Sequence, residues 1–104
     1  MYDIFVDCIN NNKFREIVHT DEYMQMTYMS LEPLGEIERE THANASQFIQ
    51  VMQGEIHVEI DGQTHQSLLA GSGVFIPPNT PHYVKNYSDK YPAKIVSIYA
   101  PPQH

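Results

Sequence analysis

Basic residues are scarce in this chain: six lysines and arginines stand against thirteen acidic residues, for a net charge of −7. No cluster or stripe of basic residues breaks that imbalance. The electrostatic footprint of a nucleic-acid binder, or of a protein seated on an anionic membrane, is therefore missing. Cysteine is scarcer still. Cys8 stands alone, which excludes an internal disulfide, and the stretch around it offers no cations to make its thiol reactive, so it reads as a half-buried structural residue. Long apolar runs are lacking too. Nothing approaches bilayer-spanning length, and Met1-Tyr2-Asp3-Ile4 has neither the basic start nor the apolar stretch of a secretion signal. A cytoplasmic location is the expectation, and the sequons at Asn44 and Asn86 are then not glycosylated. With nucleic acid and membrane set aside, the expected partner is a small-molecule ligand or substrate, or another protein.

What is present is the punctuation of an all-β protein. Hydrophobic residues make up 41% of 104, enough for one domain with one modest core. Turn signals recur at Glu32-Pro33-Leu34-Gly35, Gln53-Gly54, Asp61-Gly62, Gly71-Ser72-Gly73, Pro77 to Pro81 and Asn86 to Pro92. Ile56 to Ile60 alternates apolar and polar residues and then meets Asp61-Gly62, which predicts a strand entering a two-residue hairpin. Phe48 to Met52, Val74 to Ile76 and Ile95 to Tyr99 read as further strands. Tyr23 to Leu31 is large and partly apolar on both faces, which fits either a strand sandwiched inside the domain or one at a subunit contact. No helix of convincing length is evident, and residues 9–16 hold a turn at most. Many short strands at regular spacing suggest a sandwich or small barrel.

Several residues are candidates for chemistry. Glu40 and His42, two apart, share one face of a strand. Glu36 and Glu38 share that face with Glu40 and read as a solvated entrance. Gln47 begins the next apolar run and looks inward with Ile49 and Val51. His82, fixed by the proline turn before it, is the distant partner that would close a site. His19, His57, His65 and His104 read as surface residues. Tyr83, Tyr87, Tyr91 and Tyr99 line either a pocket or the core, and Asn86 serves the fold by bonding nearby backbone.

Gly71-x5-Pro77-x-Asn79-x2-His82-x3-Asn86 resembles the second motif of the cupin family, with Asn79 where Gly is usual. Asn tolerates the left-handed backbone nearly as well. Gly35-x4-Glu40-x-His42-x4-Gln47-x6-Gly54 is similar to the first motif, with Glu40 in the place of its first His and Gln47 in the place of its Glu. Phe14-Arg15, Met29-Ser30-Leu31, Gln47-Phe48 and Tyr99-Ala100-Pro101-Pro102-Gln103-His104 extend the likeness to a branch of small single-domain cupins, with Ser46 where that branch has Asp. The resemblance implies a jelly-roll or double-stranded β-helix barrel over residues 13–104, preceded by an N-terminal extension over residues 1–12.

It also implies a metal. Family members bind a divalent transition ion through the positions that Glu40, His42, Gln47 and His82 occupy here. His42 and His82 match by type, Glu40 and Gln47 by position only. Two imidazoles and one carboxylate suit Fe, Mn, Ni, Co or Zn with open coordination positions, and Gln47 would add a neutral amide oxygen or hold a metal-bound water. The implied function is a metal-binding cupin acting as an enzyme on a small polar molecule, isomerase- or dioxygenase-like. The alternative is a non-catalytic barrel that captures a small ligand. A homodimer is the expected assembly, with the Tyr23 to Met29 strand offering the apolar surface.

Overall fold

A computed structural model describes residues 2–64 and 67–103; the expectations for His65 and His104 fall outside them. One helix, α1 (Ile4–Asn10), precedes ten strands: β1 (Glu16–Thr20), β2 (Gln25–Leu31), β3 (Glu36–Glu40), β4 (Ser46–Gln53), β5 (Glu55–Ile60), β6 (Gln63–Thr64), β7 (Leu68–Leu69), β8 (Gly73–Ile76), β9 (His82–Lys85) and β10 (Ala93–Ala100). They form two antiparallel sheets, ordered β1-β2-β10-β4-β8 and β3-β9-β5-β6, with β7 paired to β5. The jelly-roll expectation holds.

Alternation along each strand builds the interior in layers. Across β2, β10 and β4 the register sets Met29, Ile95 and Val51 side by side. Facing them from the other sheet are Ile37, Ile56, Val58 and Val84, and all are buried. Each fully buried Ile or Leu in this cluster contributes about 2 kcal/mol of transfer free energy. Toward the other end of the same strands the inward positions turn polar. Thr27 lies beside Ser97, and Gln25, Tyr99 and Gln47 form the next layer. All five are buried as well. The barrel therefore has an apolar half and a polar half.

β2 takes the sandwiched alternative. It lies between β1 and β10, with Met29 and Leu31 in the main core and Tyr28 in a second cluster on the outer face with Cys8 and Val96. Met26 and Ser30 on the outer face are half-buried, and Tyr23, just before the strand, is exposed.

The one helix among the described residues, α1, packs on β10 and β4 and ends at Asn10, so it lies mostly before residues 9–16, where a turn at most is expected. Asp3 caps α1 by accepting a hydrogen bond from the Val6 amide. Its one buried residue, Cys8, is wholly enclosed rather than half-buried, and its thiol donates to the Ile95 carbonyl at 3.4 Å. Burial pushes that thiol up to about 11, so it is unreactive at neutral pH. A seven-residue helix that buries one side chain leaves no helical period to read.

The turns follow the sequence. Asp61 and Gly62 both have positive φ, 53° and 80°, and join β5 to β6 as a two-residue hairpin. Asn86 is buried and ties the ends of three segments together. Its amide donates to the carbonyls of Leu31, Glu32 and Tyr91, and its oxygen accepts from the Ser88 amide. Asn86→Ala strands the buried Leu31 carbonyl and frees the part-buried carbonyls of Glu32 and Tyr91, and should cost about 2 kcal/mol, read as a lowered urea midpoint. Ser88→Ala breaks only exposed bonds and should cost less. An Asn86→Ala chain as stable as the parent would remove Asn86 from this role.

Candidate metal centre

A strict period of two from the buried Ile37 would turn Arg39 inward and Glu40 out to solvent. The pairing of β3 with β9 shows otherwise. Ile37 lies opposite Val84 and Glu40 opposite His82, so β3 carries one more residue between these pairs than β9 does. This β-bulge reverses the phase of the strand. Glu40 arrives on the same side as Ile37 and His82, while Glu36 and Glu38 stay exposed and Arg39 pairs with Glu59 outside. The shared face expected for Glu36, Glu38 and Glu40 is thus corrected, and the extra residue is what brings Glu40 to the site.

His82 opens β9 and is almost wholly buried. Its Nδ1 is 3.0 Å from the Thr80 carbonyl. A carbonyl only accepts, so Nδ1 carries the proton and the lone pair of the neutral ring sits on Nε2. That Nε2 is 3.8 Å from Glu40 Oε1, and His42 Nε2 is 3.4 Å from the same oxygen. The two imidazole rings are 5.1 Å apart. His42 lies in the loop after β3. Asn79, at φ 62°, donates its amide to the His42 carbonyl at 3.0 Å and accepts from the Asn44 amide at 3.1 Å. Asn in place of Gly keeps the left-handed turn and adds a side-chain clamp between the two loops.

Glu40, His42 and His82 each offer a ligand atom, and these atoms lie within 4.8 Å of one another. Both Nε2 atoms are buried without a hydrogen-bond partner. Two donors each about 2.1 Å from one ion are about 3 to 3.5 Å apart, so the observed separations need only a small closure. Gln47 is buried in the polar layer. Its Nε2 donates to Ser97 Oγ at 2.7 Å, and its Oε1 is left buried and unpartnered. The donor set fits a divalent transition metal.

Tyr99 is the wall of this centre, its ring meeting that of His42 edge-on at 5.0 Å. Tyr83, Tyr87 and Tyr91 are not part of it. Tyr83 hydrogen-bonds Glu36, Tyr87 meets His57 at 4.7 Å, and Tyr91 is exposed. His57 is half-buried by that contact, and His19 is exposed beside Asp21. Ser97 and the Thr80 carbonyl were not foreseen. Ser97 had a signal: it is a polar residue at an inward position of an otherwise apolar strand.

The close approach of His82, and then of His42, holds the Glu40 carboxyl below its ordinary 4.5, and burial pushes His42 below its ordinary 6.5. In both cases the folded chain binds protons less readily than the unfolded one, so stability is full above the unfolded values and is lost on acidification. The metal-free chain should weaken in urea as pH falls through about 6.5 and again through the carboxylate range. His42→Gln should flatten the upper part. A urea midpoint level between pH 7.5 and 5 would contradict this assignment.

Residues 27–99 match the family model of the cupin domain. The chain is 35% identical over 99 residues to the uncharacterised protein YrkC of Bacillus subtilis, covering 90% of this chain and 53% of that protein. It thus spans about half the length of that relative. The structure is similar to that of BH2720 from Bacillus halodurans, with a TM-score of 0.94 and 31% identity over all of this chain and 82% of that one. TT1209 from Thermus thermophilus is similar in fold, with a TM-score of 0.82 and 23% identity over 97% and 96% of the two chains.

Proposed function

The chain belongs to the cupin family, and from that premise we propose that it holds a divalent transition metal, one of Fe, Mn, Ni, Co or Zn, between Glu40, His42 and His82. The observation that carries the proposal is the pair of buried Nε2 atoms facing one carboxylate oxygen with no hydrogen-bond partner of their own. Gln47 joins the set as a neutral ligand through Oε1, or holds a water on the ion.

We assign to this centre an enzyme activity on a small polar molecule, isomerase- or dioxygenase-like. A bound divalent ion supplies Lewis-acid polarisation of a coordinated oxygen. The chain's own residues do the rest. Thr80 fixes the His82 tautomer, Tyr99 and the apolar layer below limit water, and Glu40, partly exposed, is the group that meets an incoming molecule. The alternative reading, capture of a small ligand without chemistry, is favoured by Gln47, since a neutral ligand commits the metal less. A cytoplasmic location goes with either reading because a lone buried thiol calls for no oxidising compartment; no helix among the described residues is long and apolar enough to cross a membrane. A homodimer belongs to the same proposal, with Tyr23, Met24 and Met26 offering apolar surface and the exposed Phe75 and Phe5 offering more.

Elemental analysis of untagged protein purified without chelator should find about one transition ion per chain. A His42→Ala/His82→Ala chain should retain less than a tenth of it, and equal metal in both would place the site elsewhere. Light scattering at micromolar concentration should give twice 12.0 kDa, and a clean monomer would contradict the dimer.

A further inference from the structure

Arg15 is a half-buried cation without a carboxylate beside it among the described residues. It precedes β1 and runs into the polar half of the barrel. One terminal nitrogen donates to Gln25 Oε1 at 3.2 Å, and the guanidinium carbon sits 5.8 Å from the centre of the Tyr99 ring. Its Nε is buried without a hydrogen-bond partner. The other basic side chains are accounted for. Lys13, Arg39 and Lys85 each have a carboxylate within 4.0 Å. Lys94 is held by oxygens of Asn11, Asn12 and Ser30, and Lys90 is exposed. Among the described residues, Arg15 has no carboxylate at ion-pair distance, in a chain with thirteen acidic residues to choose from.

A half-buried guanidinium with an orphaned N–H carries a desolvation cost that an anion would offset. The place for that anion is defined by Tyr99. Arg15 lies 5.8 Å from its ring and His42 lies 5.0 Å from the same ring. Both groups therefore lie against one ring, close to each other on the scale of a small molecule.

We propose that Arg15 is the anion-binding residue of the centre and that the small molecule taken there carries a carboxylate. The guanidinium grips the carboxylate while a neighbouring hydroxyl or carbonyl oxygen faces Glu40, His42 and His82. This deepens the metal-centre reading and rests on it. The planar fork of Arg15 matches the two oxygens of a carboxylate.

Calorimetric titration of the zinc-loaded chain with lactate, and with its neutral amide lactamide, tests this. The parent should bind lactate at least tenfold more tightly than lactamide. Arg15→Gln should weaken lactate at least tenfold with zinc content unchanged, and Arg15→Lys, which keeps the charge but loses the fork, should fall between. Should Arg15→Gln not fold, Arg15→Lys decides: lactate bound as tightly as by the parent overturns the proposal. So does equal binding of lactate and lactamide, or no lactate binding by the parent. Elemental analysis of the same samples keeps the two readings apart. Arg15-dependent lactate binding by a chain that takes up no zinc leaves the anion site standing and removes the metal. Zinc in place with lactate binding indifferent to Arg15 does the reverse.

Discussion

Lone pairs held against lone pairs set the terms for this molecule. His82 is committed to the tautomer with its proton on Nδ1, so the Nε2 that faces Glu40 has nothing to donate while the ring is neutral. His42 brings a second Nε2 to the same carboxylate oxygen. The His82 lone pair and the Glu40 oxygen repel at this distance unless a cation or a proton lies among the three groups. Burial keeps water from the two imidazoles, while Glu40 stays partly exposed, and His42 resists protonation because of that burial. A divalent ion satisfies all three groups at once.

The rest of the barrel can be understood as what holds that arrangement in place. An extra residue in β3 rotates Glu40 into line with His82. Asn79 locks the loop of His42 to the turn that precedes His82, so two segments far apart in sequence move as one. Beneath them, the apolar layers of β2, β4 and β10 form a rigid floor. Above that floor lies the polar layer of Gln25, Gln47 and Tyr99. One interior is thus divided into an apolar half and a polar half.

Strands were legible because their period shows in the residues: Ile56 to Ile60 alternates, and the Asp61-Gly62 turn has the backbone its residues call for. The helix was not, because only Cys8 is buried on it and one residue makes no pattern. Glu40 is the instructive case. A face count from Ile37 sends it to solvent, and a count that groups it with Glu36 and Glu38 sends it to the wrong side of the strand. A bulge has no marker in local sequence. What pointed to Glu40 was its place in a motif completed by His82, more than forty residues on. Arg15 escaped for a different reason. Its significance lies in the counter-ion it lacks, and only a three-dimensional survey of the other charges reveals that.

X-ray absorption at the metal edge of the cobalt-loaded chain bears most directly on the central claim. The account predicts a shell of two imidazole nitrogens with carboxylate oxygen, about 2.1 Å from the ion, and loss of one imidazole in either single His→Ala variant. A shell of oxygen alone, unchanged by those substitutions, would mean that the facing lone pairs of Glu40, His42 and His82 are reconciled by protons and that the ion binds elsewhere.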